Sequence, residues 1–568
     1  MGSRTRRRGA RACDVRRNRG DRSRAGGDQS VKAIAIILIL FAAAVLITDP
    51  RGNFPLDDDW DFTLSTWNLA HTGRVQHTPF TSSIAVLQYF WGALWTILFG
   101  QSSTVLRVST LTLSLASTLL IYIILRRSEV GAWLAGFSAL AFFFNPLIYW
   151  ASFTYMTDVP ELFLSIAAFA LLVEALRRDS NKWLIAAVVV AIASFFVRQI
   201  GIVNAIAPLI VPRKKVRLAY GAACALYLVL LASGALIVSR QELQIHMLRA
   251  SDLLIGAAHY AFLNVQSAAL FFLPLVVLLC GRRAGSPAGL GRLRGGPTLA
   301  LGIFAVWFTA IAWHLIALGR PIPYPIRGNV LVNFALGPPT LRDTFVFRMP
   351  YPFHVGVAVQ MTLMIATTIL AIFVAAVLFR ARSVAAAYCI AGTVIMMFMR
   401  VYFDRYSIDT MWPLAIVITI AVKDVRVPRV AASIALGVMI VLSVAGTAEY
   451  LAWNRARWEA FRWLQMRGVT LDQMDAGYEI NALLAIRTGR KFLGKEGFAV
   501  HDDRFILAFN AVPGYETLVC VLECGGGLSA RSGRLRAGHH TYALRTVRCS
   551  MRFCRGATIK RCTKIPGV

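Results

Sequence analysis

The stretch IAVLQYFWGALWTILF, residues 84–99, decides how this chain threads a membrane. Its sixteen residues include five aromatic ones, and a helix that crosses hydrocarbon needs about 20 apolar residues. Short, aromatic and apolar, it is suited to lie in the membrane interface rather than to cross. The chain around it has 568 residues, 57% of them hydrophobic and 16% charged, with a mean hydropathy of +0.59. That balance excludes a soluble globular protein and predicts an all-α polytopic membrane protein. Apolar runs recur at 33–48, 104–125, 131–149, 159–176, 183–197, 218–238, 260–280, 298–318, 355–379, 384–399 and 430–447, with shorter ones at 200–212 and 410–422. Sustained strand-like alternation, the mark of a barrel, is missing.

Charge placement fixes the reading of 84–99. If it does not cross, the loops after every second crossing carry Arg126/Arg127, Arg177/Arg178/Lys182 and Arg213/Lys214/Lys215/Arg217 on one side. The same side then takes Arg282/Arg283/Arg292/Arg294, Arg380/Arg382 and Lys423/Arg426/Arg429, eighteen basic residues in all. Counting 84–99 as a crossing puts all eighteen outside, against the rule that short cytoplasmic loops are basic. The expectation is therefore thirteen crossings in the plasma membrane, with a cytoplasmic N-terminus and an extracytoplasmic C-terminus. The run 183–212 is expected to be a hairpin turning at Arg198-Gln199, since basic residues flank it at both ends. Asp57, Asp58, Asp59, Asp61, Asp158, Glu161, Arg198, Arg348, Arg400 and Arg405 then all emerge on the outer face.

Four parts are expected along the chain. Residues 1–30, with ten Arg against three Asp, read as a basic cytoplasmic tail. Residues 31–447 form the membrane domain, with a first outer loop over 49–103. A small extracytoplasmic α/β region covers 448–518, in which 451–464 reads as a helix that lies on the membrane or packs on the domain after it, and strands are expected near 504–519. The basic stretch 519–568, rich in Gly, Ser and Cys with little periodicity, reads as disordered. Basic arms can bind nucleic acid or anionic lipid, but beside a membrane span a topological role is simpler, and no nucleic-acid partner is expected. CxxxC at 520–524 and CxxxxC at 549–554 match no strong zinc spacing.

Three elements carry a resemblance. The first outer loop reads FPLDDDWDFTLSTWNLAHTGR (54–74) and is followed by LFGQSSTVLRVSTL (98–111); NPLIYWASFTYMTDVPELFL (145–164) and FDRYSIDTMWPLAI (403–416) come later. Their order and shared side resemble the GT-C superfamily of lipid-linked-sugar-dependent glycosyltransferases. The nearest likeness is the bacterial branch related to protein O-mannosyltransferases and the lipid A aminoarabinose transferase (family 39-like). The family's elements map onto Asp57, Asp58 and Trp60, then Asn68, Leu69 and Gly73, then Gly100, Ser102 and Arg107. Asp158 falls in its acidic loop and Arg405-Tyr406 in its later element, while DAGYEIN (475–481) is also of a kind seen in that branch. The first loop departs from the aminoarabinose transferase in lacking a Lys-Pro-Pro element, so that enzyme's lipid-phosphate contacts are not carried over.

The resemblance implies transfer of a sugar from a polyprenyl-phosphate donor to a lipid, polysaccharide or protein acceptor at the outer face. Such a transfer needs a base for the acceptor and a cationic fork for the leaving phosphate. Asp57 is the expected base, Asp58 the second choice, and Asp158 the orienting carboxylate; for Asp158 a helix N-cap ahead of Pro160 is an equal reading. Arg405 with Tyr406, then Arg198 and Arg348, are the expected phosphate-binding residues. No cofactor and no metal site are assigned, although the acidic cluster leaves room for a divalent cation. The rival classes are a multi-helix transporter or flippase of a glycolipid-related substrate and a membrane scaffold. The topology has a direct test. Single cysteines at Ser102 and Ser180 should be labelled from outside and inside respectively, and equal sidedness would contradict thirteen crossings.

Overall fold

The computed structural model describes residues 29–78, 80–81, 83–236, 250–283, 329–332, 335–345, 356–397, 403–488, 504–509, 512, 515–524, 527–532, 541–545 and 554–562. Helix α1 (Gln29–Thr48) enters first. Then come α2 (Asp59–Thr72), α3 (Val86–Phe99), α4 (Ser103–Arg127), α5 (Ala132–Phe143), α6 (Pro146–Ser152), α7 (Asp158–Arg178) and α8 (Asn181–Phe195). They continue as α9 (Lys214–Ala232), α10 (Ala250–Phe271), α11 (Leu273–Leu278), α12 (Val357–Arg380), α13 (Val384–Met396), α14 (Ile408–Ala421), α15 (Arg429–Gln465) and α16 (Tyr478–Thr488). Among the described residues six helices are long and apolar enough to cross a membrane, or seven if α5 and α6 count as one bent span. The expected crossing at 298–318 lies outside the described residues.

Helix α3 is amphipathic in the sense a bilayer requires. Gln88, Tyr89, Gly92, Ala93 and Thr96 are buried, while Phe90, Leu94, Ile97 and Leu98 are exposed. Exposed apolar residues on one face and buried polar ones on the other mark contact with lipid rather than water. Gln88 donates to the Tyr155 carbonyl at 2.7 Å. A Cβ at Gly92 would lie 1.9 Å from the Tyr155 hydroxyl, so only glycine lets α3 approach so closely.

Two expected segments change shape. The run 131–149 is two helices bent by 66°, because Pro146 cannot continue α5 and instead starts α6 under the Asn145 cap. The helix expected at 451–464 is not separate but the end of α15, which runs unbroken for 37 residues, and of its two expected placements it takes the one against the region that follows. Val430, Ile434, Val438 and Val441 form its exposed apolar stripe, whereas Ala456, Ala460, Phe461 and Leu464 pack on Met474, Ala476, Ile480 and Phe505 of the C-terminal region. With no proline to stop it, the helix passes from one solvent to a protein core. The hairpin at Arg198-Gln199 is present: Asn204 reaches back to the Ser194 hydroxyl at 2.9 Å.

The C-terminal region holds a sheet of β1 (Met474–Asp475), β2 (Phe505–Ala508), β3 (Glu516–Cys524), β4 (Gly527–Ser532), β5 (Thr541–Arg545) and β6 (Cys554–Cys562), in the order β1-β2-β6-β5-β3-β4. Strand β3 runs through the expected boundary at 519, and β6 pairs antiparallel with both β3 and β5. A weakly patterned strand is ordered by the partners that complete its hydrogen bonds, which periodicity alone does not show.

The loop between α1 and α2 is fastened by a buried cation. Arg107, fully buried in α4, donates to the carbonyls of Pro50 at 3.0 Å and Gly52 at 2.8 Å, and to that of Phe54. Ser103 N–H bonds the Asn53 side chain at 3.0 Å, and Arg455 from α15 reaches the Asp49 carbonyl at 3.1 Å. Arg107→Met would leave these carbonyls unpaired at about 1–3 kcal/mol each. A clear fall in melting temperature in detergent is expected, with only partial recovery in Arg107→Lys.

Candidate active site

Helix α2 begins under Asp58 with Asp59 and Asp61 in its first turn, where negative charge favours a helix N-terminus. The four aspartates then part company. Asp59 accepts the Leu56 N–H at 2.6 Å and the Tyr155 N–H at 3.1 Å, tying the loop to the chain ahead of α7. Asp61 accepts the hydroxyls of Thr78 and Thr81. Burial pushes the Asp59 and Asp61 carboxyls up to about 7 and about 6, against the pull of these bonds. Both are braces of the loop.

Asp57 and Asp58 face Arg405, which stands in the 3-10 turn Asp404–Ser407 ahead of α14. Asp404 holds that turn by accepting the N–H groups of Val330 at 2.9 Å and Leu331 at 2.7 Å. The Arg405 fork meets Asp58 at 3.0 Å, Asp57 at 3.6 Å and Asp158 at 4.0 Å. Burial opposes its charge, but Asp57, Asp158 and Asp58 together outweigh this and keep Arg405 firmly protonated. Asp58 is fully engaged, accepting Arg405 on one oxygen and the Tyr478 hydroxyl, at 2.7 Å, on the other. Asp57 is not: its Oδ2 is buried and has no hydrogen-bond partner. Its backbone is left-handed, with φ at 53°. Burial first, then the charge of Asp58, holds its carboxyl well above the usual range, while Arg405 pulls the other way.

Of the other expected residues, Arg198 pairs with Asp158 at 2.6 Å, and the Tyr406 ring lies 5.4 Å from the Arg198 guanidinium and 5.7 Å from that of Arg405. The N-cap position of α7 is Thr157, and neither it nor Asp158 caps the helix through its side chain. The Asp158 carboxylate points to Arg198 instead, which corrects the capping reading. Arg348 and Arg400 lie outside the described residues. Among the described residues no cluster of three metal-ligating side chains is present, and His71 and His77 bond the Trp67 carbonyl and the Tyr89 hydroxyl.

Tyr478 and Glu479 were not among the expected site residues, although they lie in the quoted stretch DAGYEIN. Glu479 is fully buried; one oxygen accepts the Asp57 N–H at 3.2 Å and the other the Arg457 guanidinium at 2.7 Å. The C-terminal region thus reaches into the membrane domain and holds the strained residue of the site. Glu479→Gln leaves Arg457 buried without a counter-charge, which costs about 3–5 kcal/mol. It should therefore melt much earlier in detergent, and Arg457→Met added to it should restore part of the loss.

No family model matches this chain, and no curated protein matches it. Among solved structures it is similar to ArnT from Cupriavidus metallidurans bound to undecaprenyl phosphate, at 14% identity and a TM-score of 0.38, covering 77% of this chain and 72% of that one. The same protein in the apo state gives 13% identity and a TM-score of 0.37, covering 82% of this chain and 70% of that one.

Proposed function

We propose that this protein is a membrane glycosyltransferase of the GT-C kind that moves a sugar from a polyprenyl-phosphate donor to an acceptor at the outer face of the plasma membrane. The observation that carries the reading is the buried Oδ2 of Asp57, which accepts no hydrogen bond and meets the Arg405 fork only as an ion pair at 3.6 Å. A buried acceptor without a donor is costly and calls for a reason, and a proton taken from a substrate supplies one. The ordered sequence elements 54–74, 98–111, 145–164 and 403–416, with their GT-C resemblance, supply the substrate class.

In this mechanism the acceptor hydroxyl gives its proton to Asp57 Oδ2 as its oxygen attacks the anomeric carbon. The bond from that carbon to the phosphate oxygen breaks, and the lipid phosphate leaves with the electron pair, so the anomeric centre inverts. Asp57 suits the base role better than Asp58, whose two oxygens are taken. Arg405 receives the phosphate, its planar fork turning from Asp58 towards the incoming oxygens. Its Nε has no partner and offers one donor from the start. Asp158 and Arg198 steady the fork from behind.

The test is labelled-sugar transfer from lipid-phosphate donors in vesicles. Asp57→Asn should lose about two to four orders of magnitude in rate. The wild-type rate should fall on acidification at a pH above the ordinary carboxylate value of about 4, because burial raises the Asp57 carboxyl and the base must be ionised. Arg405→Ala should weaken donor use about ten- to a hundredfold, the worth of a charged hydrogen bond, with partial recovery in Arg405→Lys. Near-normal turnover in both Asp57→Asn and Asp58→Asn would refute the reading.

A further inference from the structure

A cleft of about 170 Å³ lies between α4, α7, α13 and α14 and takes no part in the transfer. It begins at Phe169, about three helical turns beyond Asp158 on α7. Nine of its eleven lining residues are apolar. Ile124, Leu172 and Ile416 are buried, while Val173, Leu176 and Ile420 are half-buried, so the cleft has a closed floor and an edge that can be reached from outside. Its two polar residues are already engaged. The Ser128 hydroxyl donates to the Ile124 carbonyl at 2.9 Å, and the Ser383 hydroxyl accepts the Ala386 N–H at 3.2 Å. Such a lining offers a guest dispersion contacts and little else, which suits a hydrocarbon chain.

The end of the cleft at Ser128, Leu176, Ser383 and Ile420 is where the chain is most basic. Arg126 and Arg127 close α4, Arg177 and Arg178 close α7, Arg380 ends α12, Arg382 precedes α13 and Lys423 follows α14. The stretches 126–129, 174–178, 380–382 and 423–424 hold these seven basic residues against three acidic ones, Glu129, Glu174 and Asp424. Glu174 is spent on Arg127 at 2.9 Å, Arg177 at 3.3 Å and Arg178. Asp179, just beyond, pairs with Arg213 at 3.2 Å. Among the described residues Arg382 and Lys423 have no ion-pair partner, and both are exposed. An apolar cleft thus ends at positive charge that the protein does not itself neutralise.

We propose that this cleft binds a phospholipid with an anionic headgroup, part of one acyl chain lying between α7, α13 and α14 and the phosphate standing at Arg382 and Lys423. The apolar lining recognises the chain, and the uncompensated cations recognise the headgroup. A zwitterionic headgroup brings its own cation beside the phosphate and gains less from the same charges. The bound chain bridges α7 and α14, which already meet through Phe169 and Trp412, their ring centroids 5.3 Å apart. The same two helices carry Asp158 and the turn of Arg405 at their other ends. The lipid site does not depend on the transfer reaction.

The full-length protein, purified and delipidated in neutral detergent, can be titrated with phosphatidylglycerol or with phosphatidylcholine of the same chains. Phosphatidylglycerol should raise the melting temperature and stay bound through gel filtration, and phosphatidylcholine should do neither to the same degree. The double variant Arg382→Gln with Lys423→Gln alters two exposed side chains and should fold, yet bind phosphatidylglycerol about tenfold or more weakly, the attraction of two basic residues being lost. Phosphatidylglycerol with a diazirine in its acyl chain should label residues within 169–176 or 416–420 on illumination, and unlabelled phosphatidylglycerol should suppress that labelling. Equal stabilisation by phosphatidylcholine, an unchanged affinity in the double variant, or labelling only elsewhere would overturn the proposal. So would displacement by undecaprenyl phosphate at lower concentration than by phosphatidylglycerol, because the cleft would then belong to the carrier. None of these measurements uses a sugar donor, so failure of transfer with every lipid-linked donor would refute the enzymatic reading and leave the lipid site standing.

Discussion

A buried guanidinium among three carboxylates governs this site. Arg405 is 7% exposed and gathers Asp57 and Asp58 from the loop between α1 and α2 and Asp158 from the start of α7. Removing a charge from water costs several kcal/mol, and only close partners offset it. The loop, α7 and the turn before α14 are therefore held in register by one side chain. Asp58 is the closest to Arg405 and the most exposed of the three carboxylates.

The cluster has a rigid surround, which comes from backbone clamps. Arg107 gathers carbonyls of 50–54 from one side, Arg455 holds Asp49 from another, and Glu479 fixes the N–H of Asp57. These partners come from α4, α15 and α16. The left-handed turn at Asp57 is thus over-determined by elements far apart in the chain, the usual condition for strain to persist at a working residue. The unbroken α15 matters here, since it carries both Arg455 and Arg457 from the membrane domain to the C-terminal one.

Much of this was legible in residues alone. The apolar runs announced a helical membrane protein, and the one-sided basic loops placed Asp57, Asp58, Asp158, Arg198 and Arg405 at a common face. The structure brings these residues together with Tyr406. Which aspartate does what was not legible: four of them within 57–61 look alike in sequence, yet Asp59 and Asp61 are braces bonded to Leu56, Tyr155, Thr78 and Thr81. Tyr478 and Glu479 were hidden by distance, being more than 400 positions from Asp57.

By itself the sequence determined the solvent of each segment, because hydrophobicity and basic charge act locally and add along the chain. It led to the hairpin at Arg198-Gln199, whereas 131–149 read as one run and proved to be two helices parted at Pro146. Only the tertiary structure decided which oxygens are satisfied. The ion pair of Asp57 Oδ2 with Arg405 and the pairing of the strands within 516–562 depend on partners brought from elsewhere in the chain. Hydrogen bonds and desolvation are properties of neighbours in space, and no local pattern of residues encodes them.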